Sequence, residues 1–198
     1  MFIFKREFYM ASSHFSCPAY APAGLSTWMQ DLSKIVFASI LISLSSYIRI
    51  PLFFTPVPLV LQSHVLLLMA ALLGSKRGSM ATILFVIAGM LGLPVFAGAK
   101  PGLSCLLGPT GGYLVGYICA AFLTGYISNQ VKKPTLTRIF SAMACGNLLI
   151  YLCGACGLSI FMDWTSCLTL GIVPFLIGDA FKLLCTTKAI QFFRQRLA

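Results

Sequence analysis

The sequence predicts an all-α membrane protein, a bundle of six transmembrane helices with both termini in the cytoplasm. Hydrophobic residues make up 59% of the 198 residues and charged residues 9%, whereas a soluble domain carries about 25% charged residues. Six apolar stretches approach the length of about 20 helical residues that a bilayer core requires. The remaining residues leave no room for a separate soluble catalytic domain.

The six predicted spans are 34–50, 57–74, 78–93, 110–128, 136–160 and 168–193. The third is short, so its ends are the least defined. Residues 1–33 are mixed in character, and Pro18, Pro22 and Gly24 interrupt them. Their early charges are untypical of a secretory signal. We therefore expect a loosely ordered cytoplasmic tail over 1–33 and a membrane domain over 34–198.

The basic residues set the predicted orientation. The chain has 14 Lys and Arg against 4 Asp and Glu, a net charge of +10. With the N-terminus inside, 11 of the basic residues fall in cytoplasmic segments, and Arg49 and Lys100 fall outside. An excess of Lys and Arg in short cytoplasmic loops is the normal topology signal. The charge thus indicates the orientation of a multi-pass membrane protein and does not indicate nucleic-acid binding.

Two outside loops, 50–58 and 94–109, are rich in Pro, Gly and apolar residues. Proline fixes φ and removes a backbone donor, so the first loop cannot be helical and is stiff. A plain hairpin connection needs only a few residues. We expect both loops to fold over the outer end of the bundle.

Asp179 and Lys182 are the most informative residues, because they lie within the sixth span and three residues apart. On a helix that spacing places both side chains on one face. Ionisable groups within a span usually face the protein interior and mark a ligand or ion path. The pair could instead neutralise itself and join helices. We favour a ligand-binding pair.

Other polar side chains of the spans gather in the same outer half. Gln62 lies about 7–8 Å down the second span and Asp179 about 16 Å down the sixth, at about 1.5 Å per residue. Asn147 is near the middle of the fifth span, Tyr151 is one turn above it, and Tyr113 is near the outer start of the fourth. As alternatives, the two amides could bridge helices and the tyrosines could belong to an interfacial belt. The sequence predicts a capped pocket that opens outward.

Three further features carry weaker signals. Cys153 and Cys156 have the CxxC spacing of a redox or zinc site, but they lie within a span beside small residues. Gly108–Tyr113 opens a helix without the Lys-Ser/Thr of a phosphate-binding P-loop. His64 is more typical of a satisfied helix histidine than of a ligand. We expect no catalytic residue, no metal site, no cofactor and no ATP hydrolysis by the chain itself.

Four motifs together resemble one family. They are Thr55-Pro-Val-Pro58 followed by Gln62, Gly92–Gly98, Gly108–Tyr113, and Gly178-Asp179 with Lys182. In this order and spacing, over about residues 34–193, they resemble the BioY family, the biotin-binding S components of energy-coupling factor (ECF) transporters.

The resemblance implies a six-helix S-component bundle that binds biotin. It implies that Asp179 and Lys182 contact the ligand and that the loop around Phe96–Gly98 closes over it. It also implies a transmembrane coupling subunit and two ATPase subunits as partners, in a membrane lipid environment. The predicted binding residues, from this resemblance and from the clustering of polar groups, are Asp179, Lys182, Gln62, Phe96, Gly98, Tyr113, Asn147 and Tyr151.

The chemistry of biotin agrees with these residues. Asp179 can accept charge-assisted hydrogen bonds from the ureido N–H groups. Lys182 could bind the ureido carbonyl or stabilise the charged form of Asp179, and both roles stay open. Alternative functions are an S component for another vitamin, an intramembrane enzyme that uses Asp179 or the cysteine pair, and a structural membrane subunit.

The first span departs from the family pattern. S components generally present an Ala-xxx-Ala patch on the first helix to the coupling subunit. Here Ala38 is followed four residues later by Ile42, whereas Ser39 and Ser43 form a small-xxx-small pair.

Overall fold

The computed structural model describes residues 25–50, 59–98, 102–131 and 134–197. The chain divides into two compact units, 1–32 and 33–198, and the features below belong to the second unit, except for the first eight residues of α1. In chain order the elements are α1 Leu25–Ser45, β1 Arg49–Ile50, β2 Leu59–Val60, α2 Gln62–Leu73, α3 Ser75–Met90, α4 Leu103–Leu107, α5 Gly111–Asn129, α6 Leu136–Leu158, α7 Trp164–Gly171 and α8 Val173–Leu197.

The described residues are helical apart from β1 and β2, two antiparallel strands of two residues each, so the all-α prediction is confirmed. Within the described ranges, α5 and α6 are long and apolar enough to cross a membrane, and α2 is a shorter apolar helix. Residues 25–33, which were predicted to belong to a loosely ordered tail, are helical, since α1 begins at Leu25. Residues 1–24 lie outside the described ranges.

The first helix ends five residues earlier than predicted and the second begins five residues later, because the chain forms β1 and β2 between them. The hydroxyls of Ser45 and Ser46 donate to carbonyls three residues back, at 2.7 Å each. Such side-chain bonds compete with continuation of a helix. Arg49 then pairs with Val60, so the second span becomes helical only at Gln62.

The sixth predicted span is two helices, because α7 ends at Gly171 and α8 begins at Val173. Residue 174 is a proline. It has no N–H to donate one turn back and is tolerated in the first turn of a helix but not in its interior. A continuous helix over 168–193 was therefore a wrong prediction. Asp163 caps α7 by accepting from the Ser166 backbone N–H at 3.1 Å.

Small residues let α5 and α6 pack closely against each other. A Cβ placed on Gly157 would lie 2.6 Å from the Cα of Gly112. A Cβ on Gly116 would lie 3.0 Å from the Cβ of Cys153. Small residues at four-residue spacing let membrane helices approach in this way. This contact holds α6, the helix that carries Asn147 and Tyr151, against α5.

Candidate functional site

Asp179 on α8 is the centre of a buried hydrogen-bond cluster. Asp179 is 6% exposed. The Tyr151 hydroxyl on α6 donates to Oδ2 at 2.5 Å, and the Lys182 ammonium donates to Oδ1 at 3.0 Å. Bonds to a charged group are shorter and stronger than neutral ones. The carboxylate is thus held in a fixed orientation between α6 and α8.

Lys182 lies behind the carboxylate and joins it to the strand pair. Its Nζ donates to the Val60 carbonyl oxygen of β2 at 3.1 Å as well as to Asp179. Its side chain is 15% exposed. Of the two roles left open by the sequence, this geometry favours the one in which Lys182 orients and stabilises Asp179.

A cavity lies in front of Asp179, among α2, α5, α6 and α8. Its volume is about 40 Å³, which is room for a few water-sized groups. A larger ligand that enters it must therefore move the surrounding side chains apart. Its lining residues are Val60, Ser63, Tyr113, Tyr117, Asn147, Ile150, Tyr151, Phe175 and Asp179. Four of the predicted binding residues are therefore brought together on its walls.

The polar side chains that line the cavity differ in their hydrogen-bond partners within the protein. The Tyr113 hydroxyl donates to the Gly171 carbonyl oxygen at 2.9 Å, which ties α5 to the end of α7. Asn147 is 8% exposed, and its Oδ1 has no hydrogen-bond partner among the described residues. Ser63 is paired with the neighbouring His64 ring at 3.2 Å. Apolar side chains complete the wall.

Gln62, Phe96 and Gly98 form a second group that does not line this cavity. The Gln62 amide donates to the Val95 carbonyl oxygen at 3.3 Å. The Phe96 ring is 2% exposed and meets the Phe85 ring edge-to-face, with 5.5 Å between ring centroids. These contacts hold the segment 93–98, here called the 93–98 loop, against α2 and α3.

The 93–98 loop is also bonded to the residues that follow the C-terminal end of α1. The Tyr47 hydroxyl donates to the Pro94 carbonyl oxygen at 3.1 Å. Gly98 has φ +78, and a Cβ there would lie 2.0 Å from Arg49 Nη1. That positive φ favours glycine, whereas the Arg49 side chain is flexible and could move away from a Cβ. The predicted capping loop 50–58 lies, from residue 51 on, outside the described residues, as do residues 99–101 of the loop 94–109.

The sequence reasoning missed several lining residues although helical spacing points to them. Tyr117 is one turn after Tyr113, and Phe175 is one turn before Asp179. Residues four apart share a helix face, so extending each predicted residue by one turn would have found both. Val60 could not be found this way, because its position depends on the strand pairing.

The CxxC cysteines lie away from this cavity. Cys153 and Cys156 are free thiols on α6, the first half-buried and the second exposed. Neither lines the cavity in front of Asp179. The structure therefore gives no support to a shared redox or catalytic site.

Comparison with known proteins adds an independent line of observation. The model of the BioY family matches residues 14–198. The chain is 38% identical over 156 residues to "Biotin transporter BioY" of Thermotoga maritima, covering 78% of this chain and 90% of that protein. It is 39% identical over 127 residues to "Probable biotin transporter BioY" of Pyrococcus horikoshii, covering 64% and 74%.

The fold has a match among solved structures. A crystal structure of the S-component for biotin from an ECF-type ABC transporter aligns with a TM-score of 0.79 at 24% identity. The match covers 87% of this chain and 94% of that chain.

Proposed function

Because the chain belongs to the BioY family, we propose that it is a biotin-binding transport subunit, an S component, rather than an enzyme. The observation that carries the proposal is the cavity whose wall presents the Asp179 carboxylate, fixed by Tyr151 and Lys182. Biotin offers two ureido N–H donors, a carbonyl, an apolar thioether ring and a carboxylate. A buried anionic acceptor in a largely apolar cavity matches the ureido ring.

The eight predicted binding residues divide into two proposed roles. Asp179, Asn147, Tyr151 and Tyr113 line the cavity and contact the ligand, with Lys182 orienting Asp179. Gln62, Phe96 and Gly98 hold the 93–98 loop, which closes over the bound ligand. The bonds of this loop to α1, α2 and α3 support the second role.

We also propose that the bundle crosses the bacterial inner membrane six times, with both termini in the cytoplasm. The sixth crossing consists of α8 preceded by the short α7. The support is the excess of basic residues in the predicted cytoplasmic segments together with the apolar helices α5, α6 and α2. In this orientation the cavity and the 93–98 loop belong to the outer half.

The proposed partners are a transmembrane coupling subunit and two ATPase subunits, with lipid around the bundle. Ala38 and Ile42 on α1 are fully buried within the chain. Ser39 and Ser43 instead line a groove of about 280 Å³ together with residues of the 93–98 loop. A partner helix that approaches this face of α1 would therefore meet the two serines, and small residues permit close helix packing.

The proposal is tested by equilibrium binding of labelled biotin to the purified, detergent-solubilised chain, with other vitamins as competitors. Biotin should bind at a single saturable site, and the other vitamins should not displace it. Displacement by a different vitamin at lower concentration than unlabelled biotin would replace biotin as the substrate while leaving the S-component function in place.

A further inference from the structure

We propose that the two ureido N–H groups of the ligand are divided between two helices, one donated to Asn147 Oδ1 on α6 and the other to Asp179 on α8. This assignment rests on the proposed binding of biotin. It makes Asn147 a residue that determines specificity, because it selects ligands with a second N–H donor.

The first observation is the state of the Asn147 side chain. It is buried, it lines the cavity, and its Oδ1 lacks a hydrogen-bond partner among the described residues. Buried polar groups in native structures are nearly always paired, and an unpaired one calls for an explanation. Leaving such an acceptor unpaired costs free energy, and a ligand donor would remove that cost.

The second observation is the placement of Asn147 relative to Asp179. Asn147 and Tyr151 are four residues apart on α6, so they share a face of that helix. Tyr151 is bonded to Asp179 Oδ2 at 2.5 Å across the α6–α8 contact. The amide acceptor and the carboxylate acceptor therefore flank the same cavity from different helices.

The third observation concerns two neighbouring donors, Tyr113 and Lys182, which have other partners. The Tyr113 hydroxyl is bonded to Gly171, and Lys182 is bonded to Val60 and Asp179. A cyclic urea carries its two N–H groups on opposite sides of the carbonyl, so it is bound best by two separate acceptors. Asn147 Oδ1 and the Asp179 carboxylate supply such a pair.

The alternative from the sequence is that Asn147 only bridges helices. A bridging amide would be bonded to a neighbouring helix. The Asn147 side chain is instead hydrogen-bonded to Tyr151 on its own helix, and its oxygen has no partner within the described part of the chain. Thr124 on α5 shows what a bridge looks like in this fold, since its hydroxyl donates to the Ala142 carbonyl oxygen of α6 at 3.2 Å. Thr124 does not line the cavity, which makes it the matched control.

The experiment compares biotin with two cyclic carbamate analogues, each with one ureido N–H replaced by a ring oxygen. Dissociation constants are measured for the wild-type chain, Asn147→Leu and Thr124→Val. The wild type should bind each carbamate about tenfold or more weakly than biotin, because each analogue leaves one buried acceptor unpaired. Asn147→Leu, which has similar volume and no acceptor, should lose discrimination against one carbamate and keep it against the other.

The outcomes separate this inference from the proposed function. Thr124→Val should discriminate like the wild type. Asn147→Leu removes the unpaired acceptor and also the side-chain hydrogen bond between Asn147 and Tyr151, so thermal unfolding in detergent decides whether this variant is folded. Full discrimination against both carbamates by Asn147→Leu would overturn the role of Asn147 and leave biotin binding intact. Failure of the folded wild type to bind biotin would overturn both.

Discussion

Replacing Asp179 by Asn changes the charge of the site with almost no change in side-chain volume. The carboxylate accepts from Tyr151 through Oδ2 and from Lys182 through Oδ1. An amide has a single oxygen and an NH₂ group that can only donate. Either Tyr151 or Lys182 must then lose its acceptor, and the ligand N–H meets a neutral group instead of an anion.

The size of the effect follows from the lost charge. A hydrogen bond to a charged group contributes about 1.5–3 kcal/mol, against about 0.5–1.5 kcal/mol for a neutral one. Each 1.4 kcal/mol is a tenfold change in the dissociation constant. Because the ligand contact loses its charge and the acceptor is no longer oriented from both sides, we expect biotin affinity to fall at least tenfold in Asp179→Asn.

The assay is equilibrium binding of labelled biotin to purified wild type, Asp179→Asn and the control Asp163→Asn. Asp163 is exposed at the start of α7, and bonds from the Ser166 N–H and hydroxyl hold its pKa below the usual 3.8. The control thus also removes a negative charge at neutral pH, and asparagine is an equally good helix cap.

We expect Asp163→Asn to bind biotin like the wild type. A folded Asp179→Asn chain with unchanged affinity would refute the role of the carboxylate in binding. Thermal unfolding of each variant in detergent decides whether the chain is folded.

Three other substitutions test separate parts of the structure. Gly157→Ala should destabilise the chain by about 1–3 kcal/mol in thermal unfolding, because its Cβ would press on the backbone of α5. Gln62→Leu should speed dissociation of labelled biotin about fivefold, since the bond to Val95 that holds the 93–98 loop is lost. Serine at both Cys153 and Cys156 should leave biotin affinity unchanged, because neither thiol lines the cavity.

Each of these three predictions would be contradicted by a specific result. Cys156→Ala is the control for Gly157, since the exposed Cys156 is its neighbour on α6; equal unfolding temperatures of the two variants would contradict the close helix contact. An unchanged dissociation rate in Gln62→Leu would show that the loop does not retain the ligand. Loss of binding in the double serine variant would support the enzyme alternative instead.

The sequence predicted the helices better than their ends. α5 and α6 lie within two residues of their predicted bounds, because uninterrupted apolar runs of about 20 residues specify a helix by themselves. The pairing of Arg49 with Val60 could not be predicted, since a two-residue ladder depends on how the bundle brings distant segments together. The break before Val173 is signalled in the sequence by the proline at 174, which is not tolerated in the interior of a helix.

The candidate site was predicted in part for a similar reason. Asp179, Asn147 and Tyr151 were identified because charged and amide side chains are rare within apolar spans. Their convergence follows from depth along the helices, which sequence order supplies. That the Tyr113 hydroxyl is used by the Gly171 carbonyl oxygen, and that Lys182 reaches Val60, depends on the packing of four elements. Spacing along one helix contains no information about such contacts.

The central claim is that the cavity in front of Asp179 binds biotin. The most direct test is isothermal titration of the purified wild-type chain with biotin in detergent, without any partner subunit. Biotin should bind saturably, with one molecule per chain. A well-folded chain that gives no binding heat and retains no labelled biotin would contradict it, and the Asp179–Lys182 pair would then be a structural contact between α8 and β2.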